Sequence, residues 1–126
     1  MEKDQRGAAA VEFAIVVPVL LALVLGIVAF GHAYFVQSVL NGAARDAVRV
    51  MALENDAVAA ANAAITSANS AIQLDAAQIV VTPDTCTDPG PSGPDTAQVT
   101  ITFPMKLLGL GNDITLTGKG TMRCNG

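Results

Sequence analysis

Arg6-Gly7-Ala8-Ala9-Ala10-Val11-Glu12-Phe13-Ala14-Ile15-Val16-Val17-Pro18-Val19-Leu20-Leu21, continuing apolar to Gly31, decides how this chain folds. A short charged leader, residues 1–7 (MEKDQRG), ends at the glycine. From Phe13 to Gly31 there are 19 residues without a charge. As a helix that run spans about 28 Å, close to the ~30 Å hydrocarbon thickness of a bilayer. A buried core helix is the competing reading, but nothing else in a chain of 126 residues is large enough to bury it. The spacing therefore predicts a membrane-spanning helix over residues 8–33. A cleaved signal peptide with a Gly31-His32-Ala33 cut fits less well, because the run exceeds the roughly 7–15 residues of a signal core. Lys3 and Arg6 precede the run, and the next basic residues are Arg45 and Arg49. The positive-inside rule then sets the N-terminus in the cytoplasm and the remainder outside the inner membrane. Pro18 removes a backbone donor and crowds the carbonyl of Ala14, so a kink is expected there. Ala22 and Gly26 form a small-xxx-small pair, a weak signal for helix approach.

Glu12 is the one carboxylate at the mouth of the run. In an intact chain it reads as an interfacial group reaching water. If the chain is cut after Gly7, Ala8 carries a free ammonium four residues before Glu12. Glu12 then meets its own terminus or that of a neighbour, and a paired charge in lipid costs far less than a lone one.

The junction at Gly7, the residues Ala8-Ala9-Ala10-Val11-Glu12-Phe13 and the apolar run resemble a type IV prepilin-type processing site. More narrowly, RGAAAVEFAIVVPVLL resembles the N-terminus of the TadE-like family, the minor pilins or pseudopilins of Tad (Flp) pilus systems. Ala43-Ala44-Arg45-Asp46-Ala47-Val48-Arg49 is similar to that family's Ala-Arg helix motif. Thr117-Gly118-Lys119-Gly120-Thr121-Met122-Arg123 looks like its closing strand. The likeness covers residues 6–53, returns near the C-terminus and is poor between. It implies cleavage between Gly7 and Ala8 by a prepilin peptidase, with Glu12 and Phe13 as assembly residues. It also implies partnership with other Tad/Flp pilins, the pilus-assembly platform and membrane lipid. Major Flp pilins usually carry Glu-Tyr; the pair Glu12-Phe13 departs from that and favours a minor subunit.

Beyond His32 the pattern turns amphipathic. Val36, Val39, Leu40, Ala43, Ala47, Val50 and Met51 recur at three- and four-residue steps, opposite Gln37, Asn41, Arg45 and Arg49. A stalk helix over residues 34–54 is predicted, continuous with the membrane segment. Arg45 and Arg49 share an edge, either solvated or open to an acidic partner, and Asp46 is placed to offset part of their repulsion. Asn55-Asp56 reads as a stop for one helix and a cap for the next. Val58, Ala61, Ile65, Ala68 and Ile72 then form a stripe on a second helix.

Three strands follow in residues 55–126, a small α+β extracytoplasmic domain. Ile79–Thr82 is short and β-branched. Gln98–Phe103 alternates, and so does Ile114–Cys124, where Gly118 and Gly120 fall on the apolar face and predict close packing or a bulge. Thr85–Thr96 is a Pro/Gly loop. Phe103–Leu110 either caps the core or offers a contact patch. The expected fold class is α+β: a long N-terminal transmembrane and stalk helix, a second short helix and a small three-stranded antiparallel sheet, pilin-like.

Cys86 and Cys124 are candidates for a disulfide, with two free thiols or links to other subunits as alternatives. The closed loop would be worth about 4 kcal/mol by chain entropy, a large share in a chain with only four Phe, one Tyr and no Trp. No metal or other cofactor is expected: the single His, His32, is far along the chain from either cysteine. Nucleic acid is excluded by a net charge of −4 and the lack of a basic patch. No catalytic residues are expected either, since phosphate-binding loop, nucleophile elbow and metal spacing are all missing from the sequence. The leading expectation is a minor pilin acting in adhesion or secretion. The alternative is a single-span binding protein that does not polymerise and uses Thr85–Thr96 as its contact loop.

Overall fold

The computed structural model describes residues 2–83, 85–86, 96–109 and 111–124. The loop expected at Thr85–Thr96 lies mostly outside the described residues. The chain divides into two units, the first ending at His32 and the second beginning at Ala33. One helix, α1 (Glu2–Glu54), supplies all of the first unit's described residues and the first element of the second. It stays helical across Pro18.

In the first unit the large apolar side chains have no protein cover. Phe13 is 70% exposed and Phe30 is 71% exposed. A face of this kind is unfavourable in water by roughly 25 cal/mol per Å² of apolar surface. The helix is long and apolar enough to cross a bilayer once, which suits a single-pass anchor.

The second unit is the α+β arrangement expected from the sequence. α1 ends at Asn55, whose backbone is left-handed (φ 55°) and whose N–H donates to the Met51 carbonyl at 3.0 Å. Asp56 caps α2 (Ala57–Ala68), accepting from the amides of Val58 at 2.9 Å and Ala59 at 3.1 Å. Two adjacent residues thus end one helix and start the next. A short 3-10 turn at Ala76–Gln78 leads into the sheet, closed by a capping box between Asp75 and Gln78.

The sheet is antiparallel, in the order β1 (Ile79–Thr82), β2 (Thr96–Met105), β3 (Ile114–Arg123). β2 extends two residues beyond the expected Gln98–Phe103 at either end. The cause is its pairing with β3, which runs from Thr96↔Arg123 to Met105↔Ile114. One face of the sheet holds Ile79, Val99, Ile101, Gly118 and Gly120, all buried. Phe103 and Met105 pack half-buried against that core, so the first part of the Phe103–Leu110 segment is a cap. Leu108, in the turn beyond, is exposed, and Leu110 lies outside the described residues.

Both helices cover the apolar face. α1 lies directly on β3, as a side chain built at Gly118 would meet the Leu40 carbonyl carbon and oxygen at 2.6 Å. One built at Gly120 would meet the Ala44 carbonyl oxygen at 2.6 Å. The two glycines let a helix backbone rest on a strand backbone, so close packing, not a bulge, explains them.

α2 packs over β1, with Ala60, Ala64 and Ala68 buried. Of the expected stripe, Ala68 is buried and Ala61, Ile65 and Ile72 pack half-buried against the core, whereas Val58 is 70% exposed and is corrected to a surface position. The fully buried line of the helix is a ridge of methyl groups, Ala60, Ala64 and Ala68, flanked by Ala61 and Ile65. Small side chains along that line allow close packing against the neighbouring layer.

Candidate assembly and contact surfaces

Gly7, Ala8, Glu12 and Phe13 lie within α1 and all four are exposed. Ala8 and Glu12 are four residues apart on a continuous helix and so share one face. A side chain added at Gly7 would meet nothing within 4 Å. The fold therefore makes no demand on Gly7, in contrast to Gly118 and Gly120. A requirement for glycine there would come from something that handles the chain from outside.

In the second unit, Cys86 and Cys124 are joined by a disulfide, with Cα atoms 5.5 Å apart and a sequence separation of 38 residues. Cys86 is buried, and its amide donates to Oδ1 of Asn55. The residue that stops α1 therefore also holds the disulfide, a link that no sequence signal announces. Gln37 supplies a second such link: its Nε2 donates to the Thr117 carbonyl of β3 at 2.6 Å, across 80 residues.

Arg45 and Arg49 are exposed on α1. Asp46 does not pair with Arg49. Its Oδ2 accepts from the Ser67 hydroxyl of α2 at 2.6 Å, which ties the two helices together. The ion pair among the described residues is Lys106–Asp113 at 4.0 Å, on the surface. Exposed pairs of that length contribute about 0–1 kcal/mol.

Two concave regions flank α1 in this unit. One is lined by Tyr34, Gln37, Ser38, Asn41, Gly42 and Arg45. The other runs between α1 and α2, with Asp46, Val50 and Glu54 on one wall and Ala59, Asn62, Ala63, Thr66 and Ser67 on the other. Among the described residues no three His, Cys, Asp or Glu side chains converge as a metal site would require.

Residues 7–49 match the family model described as TadE-like protein, 43 of the chain's 126 residues. No curated protein matches the chain, and no solved structure does. The matched family is the one the sequence resembles, and a TadE-like domain points to a protein associated with a Tad pilus.

Proposed function

We propose that the chain is a minor pilin of a Tad/Flp pilus, with a structural and not a catalytic role. A prepilin peptidase cuts it between Gly7 and Ala8. The mature helix then leaves the inner membrane for the fibre, where Glu12 neutralises an Ala8 ammonium, its own or a neighbour's. The partners are other pilins of the system and its assembly platform, and the fibre serves adhesion or secretion. The observation that carries this reading is the TadE-like match, which begins at Gly7 and extends through the apolar run to Arg49. Exposure of most of the apolar run's large side chains supports it, since such a face needs either lipid or other helices around it. The charged leader favours a cytoplasmic N-terminus. The disulfide in the second unit suits the oxidising side of the membrane.

The test is the N-terminal mass of the protein from its host. A mature chain starting at Ala8, left uncut in Gly7→Val, is expected. Since the fold leaves room at Gly7, a block in that variant reports recognition by the peptidase. Glu12→Ala should be cut normally while pilus recovery falls about tenfold or more, the scale of an unmatched buried charge. A wild-type chain that keeps its leader would remove the reading.

A further inference from the structure

The outward face of the sheet differs in charge from the rest of the chain. Its positions on β2 and β3 hold threonines (Thr100, Thr102, Thr115, Thr117, Thr121) with Lys119 and Arg123 among them, and no carboxylate. Lys119 and Arg123 are exposed and stand four residues apart on β3, about 13 Å along the strand. On the other side of the domain, the groove between α1 and α2 presents Asp46 and Glu54 and no cation. These carboxylates are exposed and eight residues apart on α1, about 12 Å along the helix. Arg45 and Arg49 are not among the groove's lining residues. Between the two charges stand Val50 on the helix and Thr121 on the strand, and the groove's far wall includes the small side chains Ala59 and Ala63. β3 is an edge strand, so Lys119, Thr121 and Arg123 form a ridge at the border of the sheet.

From this match in sign and spacing we infer that the groove between α1 and α2 of one copy receives the β3 ridge of a second copy, with Lys119 and Arg123 against Asp46 and Glu54. The inference rests on the assembly reading above and adds a surface to it. The contact is heterologous: groove and ridge lie on opposite layers of the same domain. Each docked copy leaves a free groove at one end and a free ridge at the other, so the contact builds a ring or an open filament and not an isologous pair. Asp46 keeps its place in the groove through Ser67, which engages one carboxylate oxygen. Opposed charges of this kind mainly set partner choice and register, and salt weakens them.

The experiment uses the full chain in its host membrane, half of it isotopically heavy, treated with a carbodiimide that joins amines to carboxylates at contact. Mixed-isotope peptides linking Lys119 to Asp46 or Glu54 are expected, with a yield that drops as salt rises. Arg123→Glu, which keeps the Lys119 amine, should lower Lys119–Asp46 links about tenfold, and so should Glu54→Lys, which keeps the Asp46 carboxylate. Mixing the two variants should bring Lys119–Asp46 links back to within about twofold of wild type, because the reversed ridge charge then faces the reversed groove charge. Absence of mixed-isotope links in wild type, or no recovery in the mixture, overturns the contact. Loss of retention on an acidic polysaccharide in the ridge reversal, with no links in wild type, would make the ridge a glycan surface instead. Leader cleavage and fibre recovery are read from the same cells. Fibres without these links defeat the contact alone, and links without fibres defeat the pilus reading.

Discussion

Glycine means two different things in this chain, and a single methyl group separates them. At Gly118 and Gly120 that methyl would lie 2.6 Å from the backbone of α1. Neither a helix backbone nor a paired strand can give way by an ångström without loss of the contact between them. Gly118→Ala or Gly120→Ala should therefore cost about 3 kcal/mol or more, at the upper end for overpacked cores, read as a lowered denaturant midpoint of the full chain in detergent. At Gly42 the same methyl meets nothing within 4 Å, in the interior of a helix. Gly42→Ala should raise stability by about 0.5–1 kcal/mol in the same assay. Asn55 combines a backbone role with a side-chain one, through its left-handed φ and its bond to the Cys86 amide. Asn55→Gly keeps the first and loses the second, and Asn55→Ala loses both. The expected order of midpoints is wild type, then Gly, then Ala, with about 1 kcal/mol between the last two.

α2 tests whether side-chain size or helix phase decides what is buried. Ala64→Leu should destabilise the second unit by about 1–3 kcal/mol, since it forces a large side chain into a fully buried methyl site. Val58→Ser should stay within about 0.5 kcal/mol of wild type, because Val58 faces solvent. The reverse outcome in a thermal melt would put Val58 in the core and Ala64 at the surface. The strands were easier to read. β-branched composition placed Ile79–Thr82 at its observed limits, and shared parity put Gly118 and Gly120 on the packed face. α1 was visible through its missing charges and its three- and four-residue rhythm. For α2 the rhythm was weaker, since seven of its twelve residues are alanine and any phase collects apolar side chains. Ala44 and Val48 were missed for a related reason: a helix that touches both a strand and a second helix buries a wider arc than one stripe. At the candidate site, the run after Gly7 could be found from local sequence. The groove, the Gln37–Thr117 bond and the Asn55–Cys86 bond join residues tens of positions apart and leave no local trace.

Across the whole molecule, a thin core is offset by one covalent tie. The largest fully buried side chains are Leu40, Met51, Ile101, Val36 and Val99, and much of the remaining interior is alanine. Closing 38 residues with the Cys86–Cys124 bond is worth about 4 kcal/mol in the chain-entropy account, of the order of a small domain's entire stability. Cys86→Ser with Cys124→Ser should lower the unfolding midpoint of the full chain steeply, and a reductant should do the same to wild type but leave the double variant unmoved. An equal response of both proteins would place the stability elsewhere. The seating of α1 on the two glycines of β3 also sets an order of events. The helix leaves the ribosome early, while its resting place, residues 114–123, is made some 80 positions later. Until that strand emerges, Leu40 and Ala44 lack their glycine floor and Cys86 lacks its partner. Growing chains must therefore wait, vulnerable to proteases and to one another, until nearly all of the described residues have been synthesised; folding of this domain is an event of completion and not of growth.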